Sequence, residues 1–203
     1  MTDAPEQIGH VLRASTSGFD FGTRGNRINE QHSFGSFVFT QVAGDGVPCY
    51  AIGLIYAIRI SDDPFVRELV MAEALDPSAL MDQRQNRLIP IETMVLNVGY
   101  SYADGTIVHS MPPRPPLSLT PVYLLEHDMV LAFVQRTDFF RIVLNAGEVP
   151  SDDLLAASIR HCGMFYTSET EKARFLVRCG QQVARLLTND LRRVQHIINL
   201  IRG

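Results

Sequence analysis

In Cys49-Tyr50-Ala51-Ile52-Gly53-Leu54-Ile55-Tyr56-Ala57-Ile58-Arg59-Ile60 the side chains sort by a period of two. Ile52, Leu54, Tyr56, Ile58 and Ile60 fall on one face, and Ala51, Gly53, Ile55, Ala57 and Arg59 on the other. A strand here therefore has a bulky face and a mostly small one, which suits the wall of a narrow barrel. Met94, Leu96, Val98, Tyr100 and Tyr102 repeat the alternation, and Ala103-Asp104-Gly105 supplies turn chemistry before residues 106–111 return as a hairpin partner. Residues 7–13 and 34–42 are the remaining strands of this half. Phe37, Ile52 and Leu54 are expected to support the barrel.

Working outward, Asp63 as N-cap and Pro64 at the first helical position predict a helical insertion between strands, restarted by Asp76-Pro77. Met111-Pro112-Pro113-Arg114-Pro115-Pro116 cannot join a central strand or a helix, because proline lacks the donor and constrains its predecessor. It marks a boundary. Beyond it, Thr120-Pro121 is expected to start a helix reaching Leu144, and Pro150-Ser151-Asp152-Asp153 to cap another through Cys162. The capping box Ser168-Glu169-Thr170-Glu171 opens a helix with apolar residues at Leu176, Cys179, Val183 and Leu186. A second apolar series, Leu187, Leu191, Val194, Ile198 and Ile201, follows across Thr188-Asn189-Asp190, as a break or as a phase shift. The predicted class is α+β: a small N-terminal β-barrel (residues 1–110) with a helical insertion, a Pro-rich linker (111–120) and an α-helical domain (121–203). The apolar seam of that domain has two readings, packing on its own core or a coiled coil between subunits.

Composition limits function. Apolar residues make up 46% and charged residues 20% of the 203 positions, enough to close a core. No run approaches the roughly 20 apolar residues of a membrane span, and the acidic start Met1-Thr2-Asp3-Ala4-Pro5-Glu6 lacks the basic and apolar parts of a secretory signal. A soluble cytoplasmic protein without membrane contact is expected. Cys49, Cys162 and Cys179 are odd in number and widely spaced, which fits buried thiols and not a disulfide framework. Charge is divided along the chain: residues 1–159 hold 10 basic and 19 acidic side chains, whereas residues 160–203 hold 8 and 3. Lys172 is the only lysine among 18 basic residues, so the positive end consists of planar guanidinium groups suited to paired contacts.

Several stretches together resemble the HAS-barrel, the small domain at the front of HerA-type hexameric DNA-translocating ATPases and, more distantly, of rotary ATP synthase subunits. The resemblance lies in Ile8-Gly9-His10-Val11 with Ser15-Thr16-Ser17 and Phe19, then Phe34-Gly35-Ser36-Phe37-Val38, then Ile52-Gly53-Leu54-Ile55, with Val98-Gly99-Tyr100 and the proline run similar to the exit of that barrel. It covers residues 7–125 and implies side-by-side association in rings and a docking surface for a HerA-like ATPase or its nuclease partner. The full-length ATPases continue into a motor whose phosphate loop needs GxxxxGK followed by Ser or Thr. No such stretch exists in this sequence, and Lys172 follows no glycine-rich loop.

Other constellations weigh toward structure. His161-Cys162 with Cys179 is the only cluster worth testing as a metal site, but adjacent helical positions point about 100° apart. Neither metal nor cofactor is expected. Glu126-His127-Asp128 reads as a solvated helix start, and Gly22-Thr23-Arg24-Gly25-Asn26-Arg27 as a plain turn. No GxSxG nucleophile elbow is present, and no catalytic residue is assigned. The sharper pattern is an arginine stripe. Arg178, Arg185 and Arg192 are spaced by seven, with Arg174 one turn before Arg178, and they share a face if the segment is one helix. Such a stripe either solvates the side opposite the apolar seam or binds an acidic surface. Arg114 in the exit loop is a further binding candidate. The expected function is a non-catalytic assembly or docking module, a homo-oligomer or the partner of a HerA-like ATPase or nuclease in DNA processing. Its rivals are a nucleic-acid-binding accessory protein and a hydrolase using His127 or His161.

Overall fold

A computed structural model describes residues 5–24, 32–44, 46–60 and 90–202. The period-two stretches form strands β1 (Gln7–Ala14), β2 (Gly18–Arg24), β3 (Phe37–Gln41), β4 (Cys49–Ile60), β5 (Pro90–Tyr102), β6 (Ile107–Val108) and β7 (Pro121–Leu124). Six of them close an antiparallel barrel in the order β2-β1-β7-β3-β4-β5, because β5 returns to β2 in a register running from Gly18 opposite Leu96 to Arg24 opposite Pro90. β6 lies outside the ring and pairs with β5. Five helices of the described residues follow: α1 (His127–Phe133), α2 (Phe140–Leu144), α3 (Ser151–Met164), α4 (Glu169–Leu186) and α5 (Leu191–Arg202). The chain is thus α+β, a small barrel followed by a helical region. The helical insertion expected from Asp63-Pro64 and Asp76-Pro77 lies outside the described residues.

Pro121 does not start a helix. Pro121–Leu124 inserts between β1 and β3 as the sixth barrel strand, with Val122 and Leu124 buried and Tyr123 stacked on Phe39 at 5.3 Å. Alternating β-favouring residues, offered two unpaired strand edges, gain ladder hydrogen bonds that a helix start could not supply. Helix then appears only as the short α1 and α2, separated at residues 134–139. The short segment between the proline run and β7 is laid along β1. Leu119 N–H donates to the Val11 carbonyl at 2.7 Å, and Val11 N–H to Thr120 at 2.9 Å.

The two faces of β4 divide the core in the opposite sense to a barrel filled by its bulky residues. Inside the ring, Ile8, Val11, Phe19, Phe21, Val38, Ile55, Val95, Val122 and Leu124 form one cluster drawn from all six strands. Phe37, Ile52, Leu54, Leu96 and Val98 face outward and belong to a second, larger cluster with the helices. Phe37, Ile52 and Leu54 therefore hold the helices on the barrel and do not fill it. The small face turns inward because the ring is narrow: a Cβ at Gly53 would lie 2.3 Å from Val95 Cγ1 and 2.8 Å from the Leu96 carbonyl oxygen. Polar bonds accompany this packing, with His32 Nε2 3.0 Å from Thr93 Oγ1 and Asn97 Nδ2 donating to the Thr16 carbonyl at 3.0 Å.

In the helical region the Ser168 half of the capping box forms, its hydroxyl accepting from Glu171 N–H at 3.4 Å. α4 buries Phe175, Cys179 and Val183, a spacing of four that keeps one face on the core. Residues 187–190 break the helix, and Asp190 accepts from Arg193 N–H at 2.9 Å to start α5. α5 then packs back on the chain's own core, with Ile197 fully buried and Val194 and Ile201 beside it. No described helix is long and apolar enough to cross a membrane.

Candidate functional site

The break at residues 187–190 separates the stripe. Arg174, Arg178 and Arg185 belong to α4, whereas Arg192 is carried by α5. Arg174, Arg185 and Arg192 are exposed. Arg178 is half-buried and already bonded, its Nη2–H donating to the Val134 carbonyl at 3.1 Å while the guanidinium lies 5.7 Å from the Phe175 ring centre. Val134 is the C-cap of α1, where a cation meets the negative end of the helix dipole. Arg114 is exposed and lies close over Gly44, where a Cβ would be 2.7 Å from its Nη1, and among the described residues it lines no groove with the helical arginines.

Arg174 and Arg178 do share one feature. Together with His127, Gln135, Tyr166 and Glu171 they line a groove of about 500 Å³ between α1 and α4. Aromatic contacts build its wall: Tyr166 stacks on Phe175 at 5.1 Å, and His127 lies tilted on Phe165 at 5.1 Å. His127 Nε2–H donates to the Phe165 carbonyl at 2.8 Å, and its Nδ1 is 3.8 Å from the fully exposed Asp128, beyond hydrogen-bond reach. The ring is held by backbone and is not poised against an acid.

The charge balance of the helical end follows from how its acids are used. Asp190 caps α5, and Glu169 and Glu171 occupy the first turn of α4, where carboxylates favour the positive helix end; Lys172 is 3.8 Å from Glu169. Among the described residues none of Arg174, Arg185, Arg192 or Arg202 has an ion-pair partner. In the body, by contrast, Asp20 pairs with Arg13, Asp138 with Arg136, and Asp152 with Arg193. Arg193 was not legible as a contact from the stripe. Its fork ties α5 to α3, and the clue was Asp152 in the first turn of a helix whose neighbour it had to meet.

The thiols carry no nucleophile. Burial pushes Cys49 up, Cys162 well up, and Cys179 up to about 12, so all three are protonated at neutral pH. His161 sits edge-on to Phe165 at 5.0 Å, beside no third ligand, and no group of three His, Cys, Asp or Glu residues among those described is arranged for a metal ion. Burial also holds the imidazoles of His32, His109 and His161 below their ordinary value; at His109 nearby Asp138 opposes that effect and Arg136 adds to it. The unfolded chain therefore binds protons that the folded chain refuses. Stability from these groups is present above the unfolded imidazole value and is lost as pH falls through it toward the lower folded values. A urea midpoint measured at about pH 5 is expected to lie below that at about pH 7.5 at equal ionic strength; a rise on acidification would contradict it.

No protein-family model matches the chain, and no curated protein matches it.

Proposed function

We propose that the chain is a non-catalytic docking module that associates head to tail, the cationic helical end of one copy seated on the acidic body of the next. The observation that carries this reading is that Arg174, Arg185 and Arg192 are exposed and lack ion-pair partners among the described residues, although acidic side chains outnumber basic ones elsewhere. An unspent guanidinium on a rigid helix loses little entropy on meeting a carboxylate, and opposite fields steer the encounter. A closed barrel presents few free strand edges, so side-chain charge supports association better than strand addition does. The HAS-barrel resemblance extends the proposal to rings and to a HerA-like ATPase or its nuclease as the acidic partner, within the cytoplasm.

Light scattering coupled to sizing chromatography tests it. At low salt the chain is expected to run as an oligomer that dissociates as salt rises, since the Debye length shrinks to about 3 Å at 1 M. Arg174→Glu, Arg185→Glu and Arg192→Glu together are expected to give monomer at every salt concentration. A strict monomer at low salt, or a triple variant that assembles like the parent, would refute the reading. Salt-sensitive retention on DNA that the triple variant loses, with no self-association, would favour the nucleic-acid-binding alternative.

A further inference from the structure

A second cleft, of about 730 Å³, opens between the barrel mouth and α2, away from the arginine groove. Its walls come from both halves of the fold: the β1–β2 turn, Tyr56 of β4, residues 109–111, and the segment from Arg141 to Val149. Val95, Leu96, Met111, Ile142 and Val149 make an apolar lining. The size falls within the roughly 300–1,000 Å³ of small-molecule sites, and the combination of an apolar floor with a few polar groups is their usual composition.

The polar groups differ in how far they are already used. Arg13 is bonded to Asp20, with Glu92 3.9 Å away. Tyr56, Arg141, Asn145 and Glu148 line the same cleft and make no side-chain hydrogen bond or ion pair with a described residue. Tyr56 is half-buried; burial first, then the charges of Asp20 and Glu148, push its phenol up, so it remains a hydroxyl able to donate. Arg141 and Glu148 thus offer both signs of charge to one space without bonding each other. A purely anionic ligand would meet Glu148 and a purely cationic one Arg141; one molecule bearing both charges meets neither repulsion.

We propose that this cleft binds a zwitterionic small molecule with an apolar body, of the class of hydrophobic amino acids and their short peptides. Its carboxylate is received by Arg141 and the Tyr56 hydroxyl, its ammonium group by Glu148, and its side chains by Leu96, Met111 and Ile142. A ligand so placed bridges the barrel and the helices and adds to the contacts that join them.

Isothermal titration of the full chain with dileucine tests this, run beside N-acetyl-dileucine and dileucine amide. Saturable binding is expected for the free dipeptide, with each capped form weaker by about tenfold or more, the size of a lost charged hydrogen bond. Arg141→Gln and Glu148→Gln are each expected to weaken the free dipeptide similarly. Both residues are exposed, and an unchanged thermal midpoint verifies that the variants fold. Absence of saturable binding up to about 10 mM, capped forms that bind as tightly as the free dipeptide, or variants with unaltered affinity would each overturn the proposal.

Discussion

Replacing Phe133 by alanine is expected to cost about 3–5 kcal/mol of folding stability, the range for emptying a buried aromatic site. Phe133 is 1% exposed and lies where helices meet barrel, its ring centre 5.6 Å from Phe37, 5.2 Å from Phe139 and 4.4 Å from His109. The strand beneath makes room for it. A Cβ at Gly99 of β5 would lie 2.7 Å from Phe133 Cε2, so the aromatic ring occupies the volume that a side chain on the strand would take. Neither wall can easily collapse into the gap, because one is hydrogen-bonded sheet and the other a ring cluster already edge-packed, as Phe139 on Phe140 at 90°. The measurement is the urea unfolding free energy of Phe133→Ala against the parent. A loss under about 1 kcal/mol would mean that the helices are held on the barrel by something other than this ring.

Arg193→Ala is expected to cost about 2 kcal/mol, between the small value of exposed ion pairs and the larger value of buried ones. Its Nε–H donates to both Asp152 oxygens at 2.7 and 3.0 Å, while Nη2 reaches Asp152 at 2.7 Å, the Ser151 hydroxyl at 3.0 Å and the Leu144 carbonyl at 3.4 Å. One planar fork thereby joins the start of α5, the start of α3 and the last residue of α2. The side chains are 31% and 20% exposed, so water screens part of the attraction and limits the loss. A double-mutant cycle with Asp152→Ala isolates the pair and is expected to give a coupling near 1 kcal/mol or more. Arg193→Lys is expected to leave most of the deficit, because an ammonium cannot serve these acceptors in one plane. A coupling of zero would remove the clamp from the account of stability.

The strand at Cys49–Ile60 was legible to its last residue, because twelve alternating positions outweigh any local ambiguity, and the helix from the Ser168 box was legible because its cap is a local hydrogen bond. Which face of β4 points inward was not. Period two separates Ile52 and Leu54 from Ala51 and Gly53, but the interior beside Gly53 is already filled by Val95 and the other inward side chains of the ring, and that filling is a property of all six strands. β7 escaped for a related reason: four residues starting with proline carry little pattern, and their strand character comes from the edges of β1 and β3. The stripe of Arg174, Arg178, Arg185 and Arg192 was visible as spacing, yet its division depended on the Asp190 cap, which was in view only as one residue of a polar trio. The groove joins His127 and Gln135 to Arg174 and Arg178, and the second cleft joins Tyr56 to Arg141 and Glu148; neither juxtaposition has a local sequence signature.

Strand β7 also sets a schedule for the nascent chain. Val38 is paired with Leu124 and Gln7 with Tyr123, so the strands synthesised early stay open along one edge until the ribosome has delivered the segment beyond the proline run. Pairings so distant along the chain raise contact order and slow folding, and an open edge invites strand pairing with other chains in the meantime. The barrel is translated before the helices but its ring cannot be completed until α1 is about to emerge, which makes closure a late event and the interval before it the period most exposed to aggregation.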